Sequence, residues 1–212
     1  MTALQWPKMR RSLVAILRGI RPDEILAALD VLVEAGFTAI EIPLNSPDPF
    51  RSIEAAACNA PANCMIGAGT VLKVGDVDRL NDSGGSLLVS PNVVPAVIER
   101  AGRYGMVAMP GVMTPSEAFA ALDAGASALK FFPASVLGAK GIAAIKAVLP
   151  AGTEIGAVGG VSEENFAEYA SAGICTFGLG SSLYKPGMTP AAIGARARAA
   201  VEAYDRVYGD RD

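Results

Sequence analysis

Short, near-continuous apolar runs alternate with longer alanine-rich segments along the whole chain. The runs are LVAILRG (13–19), AIEIPL (39–44), MIGAGTV (65–71), LLVSP (87–91), VAMPGV (107–112), ALKFFP (128–133), EIGAVGG (154–160) and TFGLGSS (176–182). They lack strict apolar–polar alternation, as parallel strands covered on both faces do. Between them, apolar residues recur at helical spacing. PDEILAALDVLVEAG ends on a glycine placed to close a helix, and VVPAVIERAGRYG, PSEAFAALDAG and SEENFAEYASAG repeat the design. The last two open on a capping residue with glutamate close behind. Eight strand-like runs, each followed by a helix, predict an α/β fold. The expected architecture is a (β/α)8 TIM barrel forming one domain over residues 1–212, with a short N-terminal helix at about residues 1–11. A doubly wound open sheet is the alternative, but no GxGxxG follows the first run.

Composition narrows the chemistry. The 212 residues are 51% apolar and 18% charged, which calls for a sizeable core. A net charge of −3 gives no electrostatic case for nucleic acid or an anionic membrane surface as partner. No apolar run reaches the roughly 20 residues of a membrane span, and RGIRPDE interrupts the one stretch that could begin a signal sequence. A soluble, cytoplasmic protein is expected. Cys58, Cys64 and Cys175 form no CxxC pair and read as small buried residues. Histidine is absent. That removes Ser-His and Cys-His catalysis and His-ligated metals, leaving Glu, Asp, Lys, Tyr or water to move protons.

In such a barrel the active site lies at the carboxyl ends of the strands. Polar residues there are few: Arg18, Glu41, Asn45, Thr70, Asn92 and Lys130. Alternation puts Ala128, Lys130 and Phe132 on one strand face and Leu129 and Phe131 on the other. If the bulky pair packs outward, Lys130 points into the barrel, and the same logic turns Glu41 inward between Ile40 and Ile42. Apolar neighbours and a cation such as Arg18 lower a lysine from about 10.4 toward a neutral, nucleophilic amine, whereas Glu41 pushes the other way. A plain buried Lys–Glu ion pair, and a salt bridge for Arg18, are the structural alternatives. The runs ending AVGGV and GLGSSL offer backbone N–H groups at Gly159, Gly160, Gly180 and Ser181, with Ser182 as a further hydroxyl, for a phosphate; tight turns explain the glycines otherwise. No DxD or carboxylate cluster sits at a strand end, so no metal is expected. A lysine nucleophile without metal points to Schiff-base chemistry. A barrel that merely binds a phosphorylated ligand is the alternative from another class.

The strand ends AILRGI, EIPLNSP, IGAGTVL, SPN, MPGVMTPSEA, ALKFFPAS, AVGGV and GLGSSLY, in this order, resemble those of the 2-keto-3-deoxy-6-phospho-sugar-acid aldolases over about residues 12–205. The resemblance implies a metal-independent class I lyase with no cofactor, acting on a phosphorylated keto-deoxy sugar acid, and usually a homotrimer. It implies that Lys130 is the Schiff-base lysine and Glu41 the acid–base residue. Arg18 and Thr70 would contact substrate, and Gly159, Gly160 and Ser181 would hold phosphate. Members acting on the gluconate-derived substrate typically carry arginine and threonine where this chain has Asn45 and Ser46, and threonine at Val158. The likeness is therefore nearer to the galactonate-derived branch, whose substrate is the C4 epimer; dual specificity is the alternative.

Overall fold

The computed structural model describes residues 4–209. Each apolar run contains at least one strand, and each recorded strand pairing is parallel. The first half of the chain runs β1 (Leu13–Ile16), α1 (Ile25–Ala35), β2 (Ala39–Pro43), α2 (Pro49–Asn59), β3 (Met65–Gly69), α3 (Val74–Asp82), β4 (Leu87–Val89) and α4 (Pro95–Arg103). Then follow β5 (Val107–Met109), β6 (Gly111–Val112), α5 (Pro115–Asp123), β7 (Leu129–Phe131) and α6 (Ala134–Lys146). The chain ends with β8 (Ile155–Val158), α7 (Phe166–Ser171), β9 (Thr176–Leu179) and α8 (Pro190–Tyr208).

The strands lie in the order β5-β4-β3-β2-β1-β9-β8-β7-β6. The two ends of that order, β5 and β6, are separated along the chain only by Pro110, so the covalent backbone closes the ring into a (β/α)8 barrel. The run VAMPGV, expected as one strand, is thus two pieces. Proline has no N–H to give to a ladder. Before it, Val107–Met109 pair with β4; after it, Gly111–Val112 pair with β7. The Pro110 carbonyl accepts from the Lys130 backbone N–H at 2.9 Å.

Two apolar layers follow from the period of two along each strand. Outward residues such as Ile40, Ile42, Leu129 and Phe131 join the main core between strands and helices. Inward residues form a smaller cluster of Val14, Ala39, Leu87, Val89, Met109 and Ala128. Trp6 and Met9 pack against its lower side, and the Trp6 indole donates to the Ser12 hydroxyl at 3.2 Å. These plug residues correct one expectation. The start of the N-terminal helix expected near residues 1–11 lies outside the described residues, and residues 4–11 contain no helix. Pro7 biases Trp6 away from the helical region, and the segment instead runs across the barrel floor.

Among the described helices, only α5 and α8 start on a side-chain cap, Thr114 and Thr189. Thr114 and Glu117 form the full capping box of α5. In SEENFAEYASAG the expected start gives way to a turn: Ser162 Oγ accepts from the Glu164 N–H at 3.3 Å, and α7 begins only at Phe166. Among the described residues, no helix is long and apolar enough to cross a membrane.

Candidate active site

At the carboxyl ends of the strands, above the inner apolar layer, two ionisable side chains are buried. Lys130 is 5% exposed and Glu41 1%. Each stands two residues beyond an inner-layer alanine, Ala128 just before β7 and Ala39 on β2, which is why both point inward. The Lys130 ammonium lies 4.8 Å from the centroid of the Phe132 ring. Glu41 Oε2 has no hydrogen-bond partner. Space for it comes from β3: a Cβ on Gly69 would fall 1.7 Å from that oxygen.

Burial sets the electrostatics of the pair. It pushes the Glu41 carboxyl up to about 7, against the pull of Lys130 and Arg18. Burial likewise lowers the Lys130 ammonium below the usual lysine range; Glu41 opposes this and Arg18 adds to it. Desolvation outweighs mutual attraction for both groups, so near neutral pH each moves toward its uncharged form. Such a pair can hand a proton back and forth, and the neutral amine can attack a carbonyl.

A cavity of about 600 Å³ opens above Lys130. Of the residues singled out from sequence, Arg18, Lys130, Val158, Gly159, Gly160, Gly180 and Ser181 line it. Gly159 and Gly160 have φ of 90° and 77°, two successive left-handed residues that expose backbone N–H groups. A Cβ on Gly160 would meet Ser135 Cβ at 2.5 Å. Asn45 enters indirectly, accepting from Arg18 Nη1 at 2.6 Å. Thr70 follows Gly69 with φ 59°, a strained conformation for threonine, and does not line the cavity. Ser182 is turned away, its hydroxyl donating to the Val161 carbonyl at 3.1 Å. Gly69, Tyr184 and Lys185 were not singled out from sequence. Gly69 gave only the signal of a glycine inside a strand, whereas Tyr184 and Lys185 simply follow GLGSSL. Among the described residues, no group of three or more Cys, Asp or Glu side chains is placed to hold a metal ion.

Residues 8–194 match the family model described as "Aldolase: KDPG and KHG aldolase". The chain belongs to this family. As a KDPG and KHG aldolase it is a lyase. It is 64% identical over 209 residues to a Rhizobium meliloti protein named probable 2-dehydro-3-deoxy-6-phosphogalactonate aldolase, covering 99% of each chain. It is 49% identical over 201 residues to the Escherichia coli 2-dehydro-3-deoxy-6-phosphogalactonate aldolase, covering 95% of this chain and 98% of that one. Among solved structures, one titled "Native KDPGal structure" superposes with a TM-score of 0.93 at 48% identity, over 96% of this chain and 98% of the other.

Proposed function

We propose that this aldolase cleaves 2-dehydro-3-deoxy-6-phospho-D-galactonate to pyruvate and D-glyceraldehyde 3-phosphate through a Schiff base on Lys130, without metal or cofactor. The observation that carries the reading is the buried Lys130–Glu41 pair under a cavity with glycine-rich walls. The names of the two relatives above support the substrate.

The neutral Lys130 amine attacks the C2 ketone to give a carbinolamine. Loss of water, with Glu41 supplying the proton, leaves the protonated imine. Glu41 then takes the C4 hydroxyl proton as the C3–C4 bond breaks. The bonding pair flows into the imine, giving an enamine and releasing the aldehyde. Proton return to C3 and hydrolysis free pyruvate and Lys130. Arg18, with Asn45 against it, holds the pyruvyl end. Gly159, Gly160, Gly180 and Ser181 hold the phosphate, and Val158 contributes to discrimination at C4. The working unit is a cytoplasmic homotrimer of single-domain chains serving D-galactonate catabolism.

Borohydride reduction in the presence of pyruvate tests the chemistry. Irreversible inactivation with one adduct, mapped to Lys130, is expected. An adduct on Lys140 or Lys146, or none, overturns the assignment. Comparing kcat/KM for the two C4 epimers tests the substrate, and a preference for the gluconate-derived epimer overturns that part.

A further inference from the structure

Beyond the backbone groups already named, the cavity lining carries a further cation, Lys185. Among the described lining residues three are basic, Arg18, Lys130 and Lys185, and none is a carboxylate. Lys185 is exposed and makes no ion pair among the described residues. Among the described residues, Arg18 bonds to the neutral Asn45 amide and makes no ion pair. Of the carboxylates nearby, Asp23 and Glu24 pair with Arg21, and Glu41 is buried beside Lys130 and is not among the lining residues.

The position of Lys185 is built. Lys185-Pro186-Gly187-Met188 forms a tight turn, with the Met188 N–H donating to the Lys185 carbonyl at 3.2 Å and the Lys185 N–H to the Met188 sulfur at 3.2 Å. The turn docks on the loop after β1: a Cβ on Gly19 would lie 2.7 Å from Pro186 Cγ. Gly19 follows Arg18, and Pro186 follows Lys185, so this contact sets the two loops side by side where both basic residues line the cavity. A rim that carries two basic residues and no carboxylate favours an anion in the space it faces.

We propose that Lys185 is a phosphate-binding residue that sets the preference of the enzyme for phosphorylated over unphosphorylated substrates. The inference rests on the aldolase reading above. The substrate carries a carboxylate and a phosphate of charge about −1.5 to −2. Lys130 must be neutral to react, and Arg18 serves the pyruvyl end. Lys185 is then the side-chain cation left for the phosphate, and it lies four residues beyond Ser181 on the same loop. Glycine N–H groups shape the phosphate cradle, and Lys185 supplies the charge.

Steady-state kinetics of Lys185→Ala and Lys185→Gln test this with two substrates, the 6-phosphorylated acid and its unphosphorylated analogue. The ratio of their kcat/KM values is expected to fall about tenfold in both variants, carried by KM for the phosphorylated substrate. Lys185→Arg should restore most of it. The rise of that KM with added salt should also be shallower in the neutral variants. An unchanged ratio, or an equal loss on both substrates, overturns the role of Lys185. Pyruvate–borohydride trapping on the wild type and both variants keeps the two questions apart. Trapping at Lys130 with an unchanged ratio sinks the Lys185 inference alone, whereas no trapping in the wild type sinks the aldolase mechanism beneath it.

Discussion

Replacing Glu41 by glutamine should make the protein more stable at alkaline pH while removing its activity. Raising a carboxyl from 4.5 to about 7 costs the folded state about 3 kcal/mol once the group is ionised. The side chain is 1% exposed, so solvent screening scarcely reduces that figure. The folded carboxyl holds its proton more tightly than the unfolded one. The penalty is therefore absent below pH 4.5 and complete once pH has passed about 7. Glutamine stays uncharged throughout. Attraction between Glu41 and Lys130 is already contained in the value for Glu41, and counting it again for Lys130 would double it. An amide without a partner adds a roughly constant cost of about 1–3 kcal/mol, which shifts the variant's curve down without tilting it. Urea unfolding followed by circular dichroism, at intervals from pH 4.5 to 8.5, reads the tilt directly. The unfolding free energy of the variant minus that of the wild type should climb by about 3 kcal/mol across this range. In the same samples kcat should fall about 10²–10⁴-fold. Parallel stability curves would show that Glu41 is not held against desolvation, and the reasoning about the pair would fall with it.

Three further outcomes follow from the geometry. Gly69→Ala puts a methyl where the Glu41 carboxyl lies, so kcat should drop about 10²-fold while circular dichroism stays native-like; full activity would mean that the position of the carboxyl matters little. Val158→Thr exchanges a methyl for a hydroxyl in the cavity wall, and the ratio of kcat/KM for the two C4 epimers should shift by about tenfold toward the gluconate-derived one. Thr114→Ala removes the cap of α5 and should cost about 1 kcal/mol in urea unfolding without changing KM.

Much of this site could be read from alternation alone. A lysine between Leu129 and Phe131, and a glutamate between Ile40 and Ile42, can face the barrel only if their bulky neighbours face the helices, which they do. The left-handed backbone at Gly159 and Gly160 was likewise announced by paired glycines at a strand end. What periodicity misses is contact between distant segments. Nothing in IGAGTV says that Gly69 must lack a side chain because a carboxyl from β2 occupies the space. Nothing in LYKPG says that Pro186 leans on Gly19. The N-terminal segment misled for a related reason. Trp6 and Met9 look like one face of a helix, yet their apolar surface is spent on the open end of a barrel that exists only after the strands assemble. Pro110 sits inside a run that reads as one strand, because its place at the seam of the ring depends on which strands flank it.

Trp6 is the chain's one tryptophan, and it lies at the amino-terminal ends of the strands with the whole inner apolar layer between it and Lys130. Its emission is therefore an optical gauge of whether the barrel floor is shut. Keto acids and aldehydes bound at the opposite mouth do not touch Trp6. Unfolding can thus be followed by fluorescence during turnover, with one signal for the scaffold and another for the chemistry.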